Sequence, residues 1–171
     1  QPLNVQADPR IATPMADLQR ARAYSMVAAQ ALDEAYVANG EVLALRQQLT
    51  ALRPRLRGGL LEAANALEKK TTVLIKLAEG TDADFGTISE VIGGLAAGLE
   101  GADFAPTPGQ QAGLDDYRAR LRRALTLWQS LRSVELGTLN GQLAAAGFAA
   151  IKLPPPEQFS SEPVEDGKDL P

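Results

Sequence analysis

Two residue types are missing altogether: the 171-residue chain has neither cysteine nor histidine. Without cysteine there is no thiol nucleophile and no disulfide, and without histidine the commonest general base at neutral pH is gone. Together the two absences remove the usual nitrogen and sulfur ligands of zinc and haem. Aromatic residues are scarce, at 5% with a single tryptophan, and β-branched runs are few, which argues against strands. No apolar stretch approaches the roughly 18 to 20 residues that a membrane-spanning helix needs, and no basic-then-apolar leader opens the chain. Membrane insertion is therefore not expected. A net charge of −4 supplies no field that would hold a polyanion, so nucleic acid is not an expected partner.

What is present is leucine and alanine at helical spacing, within a hydrophobic content of 45% that suits one globular domain. Thr13-Pro14 reads as a helix start, with Asp17 placed to suit the dipole. A stripe through Leu18, Ala21, Ala28, Leu32, Tyr36, Leu43 and Leu49 then predicts one helix from about 14 to 52. The alternative is a turn at Asn39-Gly40, since glycine costs roughly 1 kcal/mol inside a helix. Arg53-Pro54 closes this element, and a second helix is expected from about Leu56 to Ala78, burying Leu60, Leu61, Ala64, Leu67, Leu74 and Leu77. A turn at Glu79–Asp82 leads to a third helix over Phe85–Leu99 with Ile88, Val91, Ile92, Leu95 and Leu99 inward. Thr107-Pro108 repeats the helix-start signal. The fourth helix carries the most regular stripe, Leu114, Tyr117, Leu121, Leu125, Trp128 and Leu131, and continues, bent at Gly137, through Leu139 and Leu143.

Short connections make neighbouring helices antiparallel. The expected fold is all-α: an elongated up-down-up-down four-helix bundle with a long first helix and a short fifth helical extension. Residues 11–153 form this bundle. Residues 1–10, with Leu3 and Val5 alternating against polar neighbours, read as the remnant strand of a preceding β domain, and a chain that opens on Gln1 reads as a fragment. Residues 154–171 are proline-rich and acidic, and a flexible tail is expected there.

Each group that could carry chemistry has a plainer explanation. Glu62, Glu68, Glu90 and Asp116 suggest a carboxylate metal site, but the Glu-x-x-His pairs of di-iron bundles need histidine. Lys69-Lys70-Thr71-Thr72 lacks the Gly-x4-Gly that wraps a phosphate. Arg53, Arg55 and Arg57, and Arg118, Arg120, Arg122 and Arg123, read as solvated faces with salt bridges, the other reading being a dock for an acidic partner. Gly94 and Gly98 suggest close helix approach inside the bundle. Trp128 and Tyr117 could stack on a sugar, yet both sit in the apolar stripe of helix four and read as core. No catalytic, cofactor-binding or metal-binding residue is assigned, no cofactor is expected, and the chain is not expected to be an enzyme.

The opening Gln-Pro-Leu-Asn-Val-Gln-Ala-Asp-Pro-Arg-Ile, Leu-Arg-Gln-Gln-Leu near the end of helix one, Ala-Pro-Thr-Pro-Gly-Gln-Gln and Val-Glu-Leu-Gly-Thr-Leu-Asn-Gly-Gln-Leu together resemble one family. This is the C-terminal region of bacterial sortilin-like, Asp-box (BNR) repeat propeller proteins, whose parents are often labelled glycosyl hydrolases. The resemblance runs to about Leu153, through helix ends and core signatures that carry no chemistry. Where the family often has proline, this chain has Gly137. The resemblance implies an extracytoplasmic parent with propellers first, a small β-sandwich next and this bundle last. Any catalytic acids would belong to the propellers, and none carries over to a residue here. The expected role is a non-catalytic C-terminal accessory domain, structural or interacting, whose partners are the upstream domains or a second copy of itself. The alternative is a peptide- or glycan-binding helical module.

Overall fold

A single 38-residue helix, α1 (Met15–Leu52), is the spine of the molecule; at 1.5 Å per residue it runs for about 57 Å. The computed structural model describes residues 13–75, 84–99 and 104–156. After α1 come α2 (Gly58–Thr71), α3 (Phe85–Ala97), α4 (Pro108–Ser130) and α5 (Leu136–Ala145). Short 3-10 turns at Arg53–Arg55 and Thr72–Leu74 flank α2, and a π turn at Leu131–Glu135 joins α4 to α5. No strand occurs among the described residues. The expected strand at 1–10, the turn at 79–82 and the tail beyond 156 lie outside them.

Helix starts follow local chemistry where capping residues are present. Thr107 caps α4 by accepting from the Gln110 N–H at 3.2 Å, while the Gln110 side chain accepts from the Thr107 N–H at 2.9 Å, and Pro108 follows the cap. This is a reciprocal capping box with proline where its missing N–H costs nothing. Asp84 caps α3 through a 2.8 Å bond from the Thr87 N–H. Gly40 sits inside α1 without breaking it. The buried Ala38 and Val42 on either side supply tertiary packing that offsets the glycine penalty.

The buried face of α1 differs from the expected stripe. Tyr24, Ala28, Ala31, Ala35, Ala38, Val42, Leu45 and Leu49 are buried, a run that alternates steps of four and three and is therefore a heptad seam. Tyr36 is 65% exposed and Leu43 50% exposed, on the opposite side from the expected one. Large apolar residues drew the expected stripe. The seam instead uses alanines, because small side chains let neighbouring helices come close while Phe85, Ile88 and Ile92 of α3 and Leu114, Leu121 and Trp128 of α4 fill the space above them.

Side-chain contacts set the directions. The Tyr24 hydroxyl donates to the Gln110 carbonyl at the start of α4, whereas Trp128 and Arg132 near its end reach Glu41, so α4 runs parallel to α1. Gly86 and Ser89 at the start of α3 lie beside Tyr36–Gln47, and Gly98 at its end lies beside Gln110, so α3 runs antiparallel. Near the end of α2, Glu68 and Thr71 reach back to Arg46, so α2 is antiparallel too. The expected up-down-up-down alternation is thus not the arrangement the contacts give: α2 and α3 both run against α1, and α4 continues through α5 alongside it. α1 packs with α3 and α4 from Tyr24 to beyond its middle, and its last turns pack with α2, which in turn packs on α5. The physical reason is length, since neither α2 nor α3 alone covers a helix as long as α1.

The π turn keeps the long return helix in phase. Buried positions step from Leu121 to Ala124, Trp128 and Leu131 by three and four, and from Leu136 to Leu139 and Leu143 by three and four. Between Leu131 and Leu136 the step is five. An uninterrupted α-helix would turn Glu135, Thr138 and Gln142 inward. The wider turn, closed by the Leu136 N–H donating to the Leu131 carbonyl, absorbs the additional residue and brings three leucines back to the core. The interruption expected at Gly137 therefore lies one turn earlier, and a Cβ at Gly137 would meet nothing within 4 Å.

Candidate functional site

Where α5 ends, Gly147 adopts φ +78°. The Gly147 N–H bonds to the Ala144 carbonyl and the Phe148 N–H to the Leu143 carbonyl. This Schellman ending needs a left-handed residue, which glycine provides. It turns the chain back into the groove between α1 and the α4–α5 rod, where residues 148–156 form a strap.

Two carboxamides fasten the strap by its backbone. Asn140 of α5 donates to the Ile151 carbonyl at 3.0 Å and accepts from the Ile151 N–H at 2.8 Å. Gln48 of α1 donates to the Lys152 carbonyl at 2.7 Å and accepts from the Lys152 N–H at 3.3 Å. Each amide thus satisfies both main-chain groups of one residue, as a neighbouring strand would, and neither contact depends on the side chain of that residue. Ile151 itself is buried. Arg55 lies over the Phe148 ring at 5.2 Å, a cation–π contact that holds the start of the strap.

Farther along, Pro156 helps to line a cavity of about 480 Å³ with Val37, Ala38, Glu41, Leu125 and Trp128. Its floor is a buried polar contact. The Trp128 indole donates to one Glu41 carboxylate oxygen at 2.7 Å, and one Arg132 nitrogen reaches both oxygens at 2.8 and 3.1 Å. Glu41 is only 5% exposed, so these donors replace the water its charge would otherwise need. Glu34, Glu41 and Gln48 are seven residues apart and share one edge of α1; two line the cavity and the third holds the strap. Beyond the cavity the groove continues past Val27, Ala31, Arg118, Leu121 and Arg122 and then past Arg20, Tyr24 and Leu114.

A second polar bracket joins α1 to α2. Arg46 donates to the Glu68 carbonyl at 2.8 Å and to the Thr71 hydroxyl at 2.9 Å, and its other terminal nitrogen lies 3.4 Å from the Glu68 carboxylate, which also pairs with Arg53. Burial, and then the nearby positive charge of Arg53, lower the Arg46 pKa from the ordinary guanidinium value. At the other end of α1, burial and then Asp115 raise the pKa of Tyr24.

The sequence-level candidates scatter. Glu68 belongs to the Arg46–Arg53 bracket, Asp116 pairs with Arg120 at 2.9 Å, and Glu62 and Glu90 are exposed on different helices. No group of three or more metal-capable side chains assembles among the described residues. Thr71 is buried under Arg46, and Lys70 binds Glu135 at 2.5 Å. Arg118 lies 3.8 Å from Asp115, and Arg120 also stacks over Tyr117 at 4.8 Å. Trp128 is core, as expected. An added Cβ would meet a neighbouring helix at 3.4 Å both at Gly98, against Gln110 of α4, and at Gly113, against Leu95 of α3, while Gly94 has open space. Glu41, Gln48 and Asn140 were not singled out from sequence. The signal for the first two was their place beside the alanine seam; Asn140 had none, because its partner lies in irregular chain.

No protein-family model matches the sequence, and no curated protein or solved structure matches it. No helix among the described residues is long and apolar enough to cross a membrane.

Proposed function

We propose that this chain is a non-catalytic interaction module, the C-terminal accessory domain of a larger extracytoplasmic propeller protein, and that it works by seating extended polypeptide between α1 and the α4–α5 rod. The observation that carries the reading is the strap: Gln48 and Asn140 each take both backbone groups of one residue. A surface that reads main chain suits polypeptide better than sugar. The aromatic faces a glycan would need are occupied, Trp128 in the core and Tyr117 beneath Arg120. The parent and its location rest on the family resemblance, and the partners are its upstream domains.

The test compares this chain with a version extended upstream through the preceding domain, using light scattering over a concentration series and thermal unfolding. The chain alone is expected to be a monomer. In the extended protein the helical transition should rise by several degrees, since each kcal/mol of docking moves Tm by about 2–4 °C at this size. Unchanged, independent transitions would sink the docking role. A stable dimer of the chain alone would make the module a self-assembly device.

A further inference from the structure

We propose that the groove beyond the strap selects an extended segment of a partner polypeptide by alternating charge, a basic side chain entering the cavity beside Asp33 and Glu34 and an acidic one, about three residues away, meeting Arg118 and Arg122. The proposal rests on the groove being a seat for extended chain and names the chemistry of its occupant.

The two walls are built in matching layers. On α1 the edge residues Val27, Glu34, Glu41 and Gln48 are seven apart. On the facing rod Arg118, Leu125 and Arg132 are seven apart and Asn140 follows after eight, the additional residue being the one the π turn absorbs. Because α1 and α4 run parallel, the two edges pair one to one. Gln48 and Asn140 hold the strap, and Glu41 and Arg132 close on each other at 2.8 Å. Beyond them the pairing of like with like stops: Glu34 shares the cavity with Leu125, and Arg118 shares the next recess with Val27.

Neither of these layers neutralises itself. Asp33 makes no ion pair among the described residues, Glu34 accepts only from Gln30 at 3.1 Å, and the cavity's arginine, Arg132, is engaged by Glu41. Glu34, Arg118 and Arg122 line one recess, yet no ion pair joins them, and Arg118 has only a 3.8 Å contact with the 77% exposed Asp115. The groove thus offers an excess of negative charge above an apolar floor of Val37, Ala38, Leu125 and Trp128, and then an excess of positive charge. A segment of one sign would be drawn to one layer and repelled by the other, so complementarity calls for both signs. Lysine or arginine suits the first layer, since its aliphatic stem can lie on the apolar floor while its charged head stays at the rim. Seven residues of helix span about 10.5 Å, and an extended chain advances about 3.3 Å per residue, which sets the spacing between the two charges at about three residues.

The capped peptide acetyl-Ser-Lys-Val-Thr-Glu-Ser-amide, titrated into the 15N-labelled full chain, should shift the indole N–H signal of the single tryptophan and the amides of residues 30–38 and 118–129. Norleucine in place of the peptide's lysine should weaken binding to the wild type by about three- to fivefold, the scale of a part-exposed ion pair, and should make no difference to the D33N/E34Q double variant. Glutamine in place of its glutamate should weaken binding similarly, and make no difference to R118Q/R122Q. None of the four side chains is buried, so both variants retain the core, and each comparison is a cycle that isolates one contact. Equal binding of the charged and neutral peptides overturns the proposal, as does a loss that persists in the variant lacking its assigned partner, or the absence of shifts with every peptide. Amide exchange of Ile151 and Lys152 is read on the same sample. If both are protected while the charge pattern fails, only this proposal falls; if both exchange freely, the groove is not a seat for extended chain at all.

Discussion

The two halves of α1 meet their neighbours through different chemistry. In the first half the seam is Ala28, Ala31, Ala35 and Ala38, and the volume comes from α3 and α4. In the second half the seam is Val42, Leu45 and Leu49, bracketed by Arg46 with Glu68 and Thr71 and by Gln48 with the strap. A seam of methyl groups permits close approach and leaves no room for larger side chains. A leucine seam fills its own space and tolerates polar brackets at its margin. One helix therefore serves two packing regimes, and the π turn lies near their junction.

The largest effects should come from exchanging the two regimes. Leu45→Ala removes a fully buried side chain from the half that depends on large residues, and should cost about 2–5 kcal/mol through lost transfer energy and cavity formation. Ala35→Leu, at a position with no exposure, should cost about 1–3 kcal/mol by forcing α3 or α4 outward. Urea unfolding at a common slope measures both. If Ala35→Leu stabilised the protein, the first half would be underpacked rather than close-packed, and the contrast between the halves would collapse.

Glu41 stands where the regimes meet, and its removal should rank next. Glu41→Ala leaves the Trp128 indole N–H buried without its acceptor and frees Arg132, at a cost of about 1–3 kcal/mol. Glu41→Gln keeps an acceptor for Trp128 and should recover part of that loss. The single tryptophan makes the outcome visible: Trp128 emission should shift to the red in Glu41→Ala as water reaches the indole, and less so in Glu41→Gln. Unaltered emission and stability in both variants would mean that the contact is not what aligns α4 with α1.

How much of this was readable in advance follows the same division. On α4 the buried residues are large, so Leu114, Leu121, Trp128 and Leu131 declared the helix and its inner face, and Thr107-Pro108 declared its start. On the first turns and middle of α1 the buried residues are mostly alanines, whose hydropathy is too weak to outweigh Tyr36 and Leu43; the expected stripe meets the seam at Ala28 and Leu49 and leaves it at Tyr36 and Leu43, which are exposed. The directions of α2 and α3 were hidden for another reason: alternation assumes helices of similar length, and α1 needs two partners end to end. The groove was least legible. Gln48 and Asn140 are ordinary surface amides until the strap, about a hundred residues from Gln48, is folded against them.

A smaller effect should separate the ends of the seam by pH. Burial and then Asp115 raise the Tyr24 pKa above its ordinary 10.0, so the folded state keeps the phenolic proton where the unfolded chain has lost it. The unfolded state then binds fewer protons, and stability falls as pH rises. The contribution is fully present below about pH 10 and is lost as pH climbs through the raised value. Tyr24→Phe removes this sensitivity along with one 3.2 Å bond to Gln110. The variant should be slightly less stable at pH 7, and its stability should decline less steeply above pH 10 in a series of urea titrations. Parallel curves for the two proteins would show that Tyr24 ionises as freely in the fold as outside it.

The smallest effect is the most informative about the return helix. Val134 is 60% exposed within the π turn, and deleting it changes the Leu131-to-Leu136 step from five to four. An ordinary α-helical turn then suffices, and Leu136, Leu139 and Leu143 keep their places in the core without the wide turn. The deletion should therefore change stability by no more than about 1 kcal/mol, although removing one residue from a helix interior normally rotates everything beyond it by about 100°. Inserting one alanine after Val134 is the matching control. It lengthens the step to six, turns the three leucines off the core and should cost several kcal/mol, in line with large core losses. If deletion is as damaging as insertion, the π turn is held by its own contacts, such as Lys70 with Glu135, and not by the phase of the leucines on either side.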